Sequence, residues 1–256
     1  MDIVQNFYDH LAQQYDTLYA DWPSAVREQA EILHRIFREN GFSADAQILD
    51  CACGIGTQAI GLAAQGYRVT ASDISDAALA EARKRAVKSG VRIRFAHADF
   101  RALADTFSEQ FDLVIAMDNA LPHMLTHSDL EAAAGSIAGR LRPGGMFTAS
   151  IRDYDSLPEN KPAYSAPYIH KTDKGQRVCF QTWEWNGDNY RLIQYIIDDE
   201  ETTSVSRFAC DYRAVRRAEL TALLSACGFQ DIRWHMPEET GFFQPIVTAV
   251  RCMMQN

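Results

Sequence analysis

Only a strand that hands over directly to a helix accommodates the turn Cys51-Ala52-Cys53-Gly54-Ile55-Gly56-Thr57. It follows the short apolar run Gln47-Ile48-Leu49-Asp50 and leads into a small-residue helix ending near Gly66. Glycines at 54 and 56 let backbone amides approach a ligand at the helix N-terminus. Arg68 to Asp73 reads as the next strand, Ser75 caps a helix with Ala78, Leu79, Ala82 and Ala86 on one face, and Gly90 closes it. Further strands are expected at 91–96, 111–117 and 146–151. Ser128 and Glu131 read as a capping box for a helix stopped at Pro143-Gly144-Gly145, and a helical stripe runs over 24–39. Strands alternating with helices imply an α/β fold with a doubly wound, mostly parallel sheet and right-handed crossovers.

After residue 152 the period changes. Val178 to Trp185 and Tyr190 to Asp198 are strand-like runs around Asn186-Gly187-Asp188-Asn189, a hairpin signal, and Ser204 to Tyr212 joins them. Residues 153–211 therefore read as an antiparallel β insertion within a single domain over 1–256, placed to cover a substrate pocket. A helix over 218–226 and strands at 232–235 and 245–251 complete the chain.

Composition narrows the function. The formal net charge of −9 and the lack of long Lys/Arg runs argue against a nucleic-acid partner. No leader and no apolar run of membrane-spanning length is read in the chain, so no membrane partner and a cytoplasmic location are expected. Six cysteines without CxxC spacing suggest small buried residues, with neither a disulfide framework nor a metal site. Oligomeric state is not readable.

The turn with Asp73 at the end of the second strand is a nucleotide-site pattern, but a nicotinamide fingerprint needs a third glycine where Ala59 stands. The run Leu49 to Gly56 instead resembles motif I of class I S-adenosylmethionine-dependent methyltransferases. The resemblance extends through Ala98-Asp99-Phe100 and Phe111 to Met117, over residues 47–151. It implies a Rossmann-like fold and S-adenosylmethionine as cofactor, with Asp73 on the ribose hydroxyls and Asp99 near the adenine amino group. Tyr19, Asp50, Ala52, Gly54, Gly56, Ile74, Phe100 and Met117 complete the cofactor set, Asp50 organising the turn or meeting the cofactor's amino group.

Met117 to Met124 after the fourth strand and Ile151-Arg152-Asp153-Tyr154-Asp155 after the fifth are similar to the glycine and sarcosine N-methyltransferase group. By that resemblance Asn119 orients the acceptor, Arg152 clamps a carboxylate, and residues 1–45, with Tyr8, Tyr15 and Tyr19, form a helical lid; of the three tyrosines, Tyr19 is placed near the cofactor. Arg152 pairing structurally with Asp153 or Asp155 stays open beside this. His123 is the candidate general base, and a turn histidine bonded to backbone is the alternative. Tyr212 and Arg213 either line the substrate pocket or serve packing and surface. The chemistry expected is methylation of a small molecule, foremost an amine nitrogen of a carboxylate-bearing metabolite. O-methylation of a hydroxylated metabolite, or cofactor binding without turnover, are the alternatives.

Overall fold

The computed structural model describes residues 2–157 and 160–253; positions 1, 158–159 and 254–256, which fall within the expected lid, insertion and domain ranges, lie outside the described residues. Five parallel strands form the centre: β1 (Gln47–Asp50), β2 (Arg68–Asp73), β3 (Arg94–His97), β4 (Phe111–Ala116) and β5 (Leu141–Ser150). β10 (Phe229–His235) and β11 (Ile246–Arg251) extend it, β11 running antiparallel to β5, in the order β10-β11-β5-β4-β1-β2-β3. β1 and β4 are buried over Ile48–Asp50 and Leu113–Ala116, as apolar runs covered on both faces require. The strand order reverses between β1 and β4, so a crevice opens at their carboxyl ends.

Helices α1 (Ile3–Leu11), α2 (Trp22–Glu39), α3 (Thr57–Ala64), α4 (Asp76–Lys88), α5 (His127–Arg140), α6 (Arg217–Ala226) and α7 (Pro237–Thr240) complete the main layers. α2 and α3 meet closely: a Cβ on Gly61 would lie 2.5 Å from the carbonyl oxygen of Val26, so the approach demands glycine. A second, antiparallel sheet holds β6 (Tyr168–Thr172), β7 (Gly175–Asn186), β8 (Asn189–Asp199) and β9 (Thr203–Arg213). The α/β class, the mostly parallel sheet and the antiparallel insertion after the fifth strand are as the sequence implies.

Three local expectations change. The third strand starts at Arg94 because Val91 still donates to the carbonyl of Ala86 in the turn that ends α4. α5 is capped by Thr126, whose hydroxyl accepts from the Asp129 amide at 3.1 Å, so Ser128 is already inside the helix. Pro143-Gly144-Gly145 does not end that helix; extended Leu141 does. The two glycines sit within β5 beside a register shift against β4, and a Cβ on Gly145 would meet the Asp112 carbonyl at 2.9 Å.

Candidate active site

A cavity of about 210 Å³ opens at the carboxyl ends of the central strands. Its floor is the turn Ala52 to Ile55. Gly54 adopts φ +51 and Gly56 φ +91, conformations that favour glycine, and a Cβ on Gly54 would meet nothing within 4 Å. Asp73 fixes this turn from β2: its carboxylate accepts from the Gly54 amide at 2.7 Å and the Ser75 amide at 2.9 Å. Burial pushes the Asp73 carboxyl up, opposed by these amide bonds. Ile74 and Phe100 provide apolar wall.

The cavity is acidic. Arg101 engages Asp99 through two nitrogens, at 2.6 and 2.9 Å on one oxygen, and also reaches Asp2 and Asp129. Asp73 and Asp118 have no cationic partner among the described ion pairs. A buried oxygen of Asp118 on the cavity wall, and one of Asp50 behind it, are without a hydrogen-bond partner among the described residues. Orphaned acceptors and an acidic wall suit a cationic ligand with donor groups, and S-adenosylmethionine, with its sulfonium, ammonium and ribose diol, matches that donor set.

A second cavity of about 200 Å³ lies beside the first and shares Tyr8, Tyr15 and Asp118 with it. Arg152 enters from the segment after β5, while Gln181, Leu192 and Gln194 face it from β7 and β8. The Arg152 guanidinium donates to the Gln181 side-chain oxygen at 2.7 Å and sits over the Trp183 ring. None of the described ion pairs includes Arg152; Asp153 and Asp155 are engaged by Arg217. The internal pairing left open from sequence is thus occupied by another arginine.

Between the cavities the chain turns sharply after β4. Asp118 (φ 56) and Asn119 (φ 68) are consecutive left-handed residues, a strain the surroundings must hold. Ser150 supplies part of the hold: its hydroxyl accepts from the Asp118 amide and its carbonyl from the Asn119 amide. The Asn119 side-chain oxygen accepts from the Arg152 amide at 2.9 Å, and its nitrogen lies 3.1 Å from the Tyr154 hydroxyl. Asp118 accepts from Gln58 at 3.0 Å and from the Tyr19 hydroxyl at 3.2 Å.

His123 is buried on the first cavity. Its Nε2 is 2.9 Å from the Tyr8 hydroxyl, its Nδ1 is 3.6 Å from Cys210 Sγ, and its ring lies 4.1 Å from that of Tyr212. Burial lowers its pKa to about 4, against a smaller opposing effect of the Asp211 backbone, so the ring is neutral near pH 7.

Among the expected cofactor residues, Ala52, Gly54, Asp73, Ile74, Asp99, Phe100 and Met117 line the first cavity. Asp50 and Gly56 stand behind it, and Tyr19 lines the second cavity instead. Of the substrate residues, Asn119, Arg152 and Tyr212 line the second cavity and His123 the first. Arg213 lines neither and pairs with Glu219. Tyr8 and Tyr15 reach the first cavity, where sequence placed only Tyr19; Arg101 and Asp118 at the first cavity and Gln181 and Gln194 at the second were not anticipated. Asp118, adjacent to Asn119 in a strand-end segment, carried a usable signal; the two glutamines carried none. Among the described residues no group of three or more His, Cys, Asp or Glu side chains is placed to hold a metal ion.

Residues 48–145 match the family model described as a methyltransferase domain. A glycine/sarcosine N-methyltransferase of Parasynechococcus marenigrum is 26% identical over 232 residues, covering 89% of this chain and 77% of that protein. A ubiquinone biosynthesis O-methyltransferase of Methylocella silvestris is 34% identical over 139 residues, 50% of this chain and 52% of that protein. In fold, the chain is similar to the CcbJ methyltransferase of Streptomyces caelestis, with a TM-score of 0.78, 19% identity, and coverage of 99% of this chain and 100% of the other.

Proposed function

We propose that this chain, a class I S-adenosylmethionine-dependent methyltransferase, takes as its acceptor the amine nitrogen of a small, carboxylate-bearing metabolite. The observation that carries this reading is the Arg152 guanidinium, oriented by Gln181, free of carboxylate partners among the described ion pairs and directed at a small cavity beside the cofactor's. A planar bidentate donor of this kind suits a carboxylate. The relative named for glycine and sarcosine points to the same class. No helix among the described residues is long and apolar enough to cross a membrane.

On this reading Asp73 takes the ribose hydroxyls, the Ala52 to Gly56 turn presents its amides, Asp50 supports the turn from behind, and Ile74, Asp99, Phe100 and Met117 surround the adenine end. Residues 1–45 form the lid, whose Tyr8 and Tyr15 face both cavities and whose Tyr19 steadies Asp118. The insertion, 153–211, covers the acceptor with Gln181, Leu192 and Gln194.

Bound S-adenosylmethionine supplies an electrophilic methyl carbon on a sulfonium. Arg152 holds the acceptor's carboxylate, and Asn119 fixes the backbone of Arg152, so the amine lone pair is aligned for in-line attack. Methyl transfer would form the nitrogen–carbon bond as the carbon–sulfur bond breaks, the bonding pair staying on sulfur as S-adenosylhomocysteine, once the acceptor ammonium has given one proton to water. Alignment of this kind can contribute roughly 7 to 11 kcal/mol. His123, neutral near pH 7 and with Nε2 2.9 Å from the Tyr8 hydroxyl, orients Tyr8 between the two cavities and is the candidate base beside water. Tyr212 backs the imidazole, and Arg213 has no part in the chemistry.

The test is S-adenosylhomocysteine release across a panel of small amino acids, their N-methyl derivatives, the matching amines without carboxylates, and hydroxylated aromatic acids. N-methylated amino acids should form, with Arg152→Ala raising KM for them on the order of 10- to 100-fold while cofactor affinity is kept. A methyl ether as the preferred product would replace this reading with the O-methylation suggested by the second relative. No turnover despite cofactor binding would leave a cofactor-binding protein.

A further inference from the structure

One oxygen of the Asp118 carboxylate is fixed and the other is bare. Oδ2 accepts from the Gln58 side-chain nitrogen at 3.0 Å and from the Tyr19 hydroxyl at 3.2 Å. Gln58 is buried and itself held, since the same nitrogen donates to the Gln29 side-chain oxygen at 2.6 Å. Oδ1 is buried without a hydrogen-bond partner among the described residues, and none of the described ion pairs includes Asp118. A bare buried acceptor costs free energy until a ligand meets it. The backbone at Asp118 is left-handed, φ 56, and its amide is tied to the Ser150 hydroxyl at 2.8 Å, so the carboxylate is held from both ends.

The place of this carboxylate selects its ligand. With the methyl donor in the first cavity and the attacking nitrogen in the second, transfer crosses the wall that the cavities share. Among the described residues that wall holds Tyr8, Tyr15 and Asp118. Burial pushes both phenols up, so they stay protonated near pH 7 and act as donors. Asp118 is the member able to take a proton. His123 lines the first cavity only, with Nε2 facing the Tyr8 hydroxyl, and meets an amine in the second through that phenol. The second cavity also holds Arg152, whose backbone amide bonds to Asn119, the neighbour of Asp118. A carboxylate and a guanidinium therefore line one small chamber, an arrangement suited to a zwitterion.

We propose, resting on the amine reading above, that Asp118 is a catalytic carboxylate whose Oδ1 receives the ammonium of the acceptor and removes its proton, so that the site prefers amino acids to the matching hydroxy acids. The ammonium N–H bond breaks with its electron pair left on nitrogen, and the proton bonds to Oδ1. The freed pair then attacks the methyl carbon, and Asp118, half-buried, returns the proton to water. Burial assists the exchange: it raises the Asp118 carboxyl, against the Gln58 and Tyr19 bonds, and lowers an ammonium, so the two proton affinities approach one another. A hydroxyl acceptor brings no positive charge to offset the carboxylate and gains only a neutral hydrogen-bond donor's share.

Asp118→Asn tests this, because Asn accepts a left-handed backbone and keeps an oxygen for Gln58 and Tyr19. The readouts are calorimetry with S-adenosylmethionine, calorimetry with amino acids and with 2-hydroxy acids of the same carbon frame in the presence of S-adenosylhomocysteine, and steady-state methylation. Cofactor affinity should stay within about two-fold of wild type. The amino-acid Kd should rise on the order of 10- to 100-fold while that of the hydroxy acid, which offers Arg152 the same carboxylate, does not. The kcat should fall by about 10²- to 10⁴-fold. Wild-type kcat and amino-acid affinity in Asp118→Asn overturn the proposal, as do equal losses for amino and hydroxy acid. So does a weakened cofactor with amino-acid affinity kept, which assigns Oδ1 to the cofactor's own ammonium. In each of these cases the wild type still methylates nitrogen and the amine reading stands; a wild type that methylates only oxygen, or nothing, overturns that reading and this proposal together.

Discussion

Gln181 holds Arg152 by a single 2.7 Å hydrogen bond to its side-chain oxygen, and its amide nitrogen is committed to Gln194 at 2.9 Å. Gln194, only 2% exposed, is itself locked by donating to the carbonyls of Phe180 and Tyr195. The guanidinium is thereby oriented by neutral groups, which keeps its charge available to a ligand. Gln181→Glu would place a carboxylate at that distance and neutralise it internally. The expected result is a KM for the carboxylate-bearing acceptor raised on the order of 10- to 100-fold, with cofactor affinity unchanged. Steady-state kinetics beside calorimetry separate the two effects.

Asp73 joins the glycine turn to β2 and faces the first cavity. Asp73→Ala should weaken S-adenosylmethionine binding by about 10- to 100-fold, the worth of one charge-assisted diol contact plus a loosened Gly54. Asp73→Asn, which keeps the shape and loses the charge, should fall between. Calorimetric titration of all three proteins reads the difference.

His123 makes the folded protein sensitive to acid. Its folded pKa of about 4 lies below the ordinary 6.5, so the unfolded chain binds the proton first as pH falls. Its share of stability is complete above pH 6.5 and is lost between there and about pH 4, by on the order of 3 kcal/mol. The buried carboxyls of Asp50, Asp73 and Asp118 are raised by burial and act with the opposite sign, favouring the folded state as pH falls. Urea unfolding at a series of pH values should therefore show a shallower acid-side loss in His123→Gln than in the wild type.

Asn119 carries a left-handed backbone and bonds to the Arg152 amide and the Tyr154 hydroxyl. Asn119→Ala removes the bonds and adds backbone strain, and should cost about 2 to 4 kcal/mol; Asn119→Gly, which relieves the strain, should cost about 1 to 2 kcal/mol less than that. Denaturant melts check the order, and activity should fall in both because Arg152 loses its anchor.

The strands that position the site were readable because burial on both faces writes short runs of apolar and small residues bounded by turn signals. β1 and β2 begin and end where the sequence places them, at 47–50 and 68–73, and Ser75 caps α4 as expected. The residues that close the site were not readable for the same reason in reverse. Tyr8 in α1 and Tyr15 just beyond it reach the cavities because α1 packs on β9 and α4, a long-range event without a local signature, and only the family resemblance named the two as lid residues. Gln181 and Gln194 occupy strand positions where a glutamine ordinarily faces water, and only cross-strand register shows that both point inward. Thr126 displaced Ser128 as the cap by two residues, a margin that local propensity does not resolve.

Tyr8, Tyr15 and Asp118 belong to both cavities, and that shared wall has a thermodynamic consequence. Any rearrangement of these three side chains by one ligand alters the chamber of the other, so the factor by which bound cofactor changes acceptor affinity must equal the factor by which acceptor changes cofactor affinity. The same reciprocity holds between the two products: whatever factor one applies to the affinity of the other is returned in full.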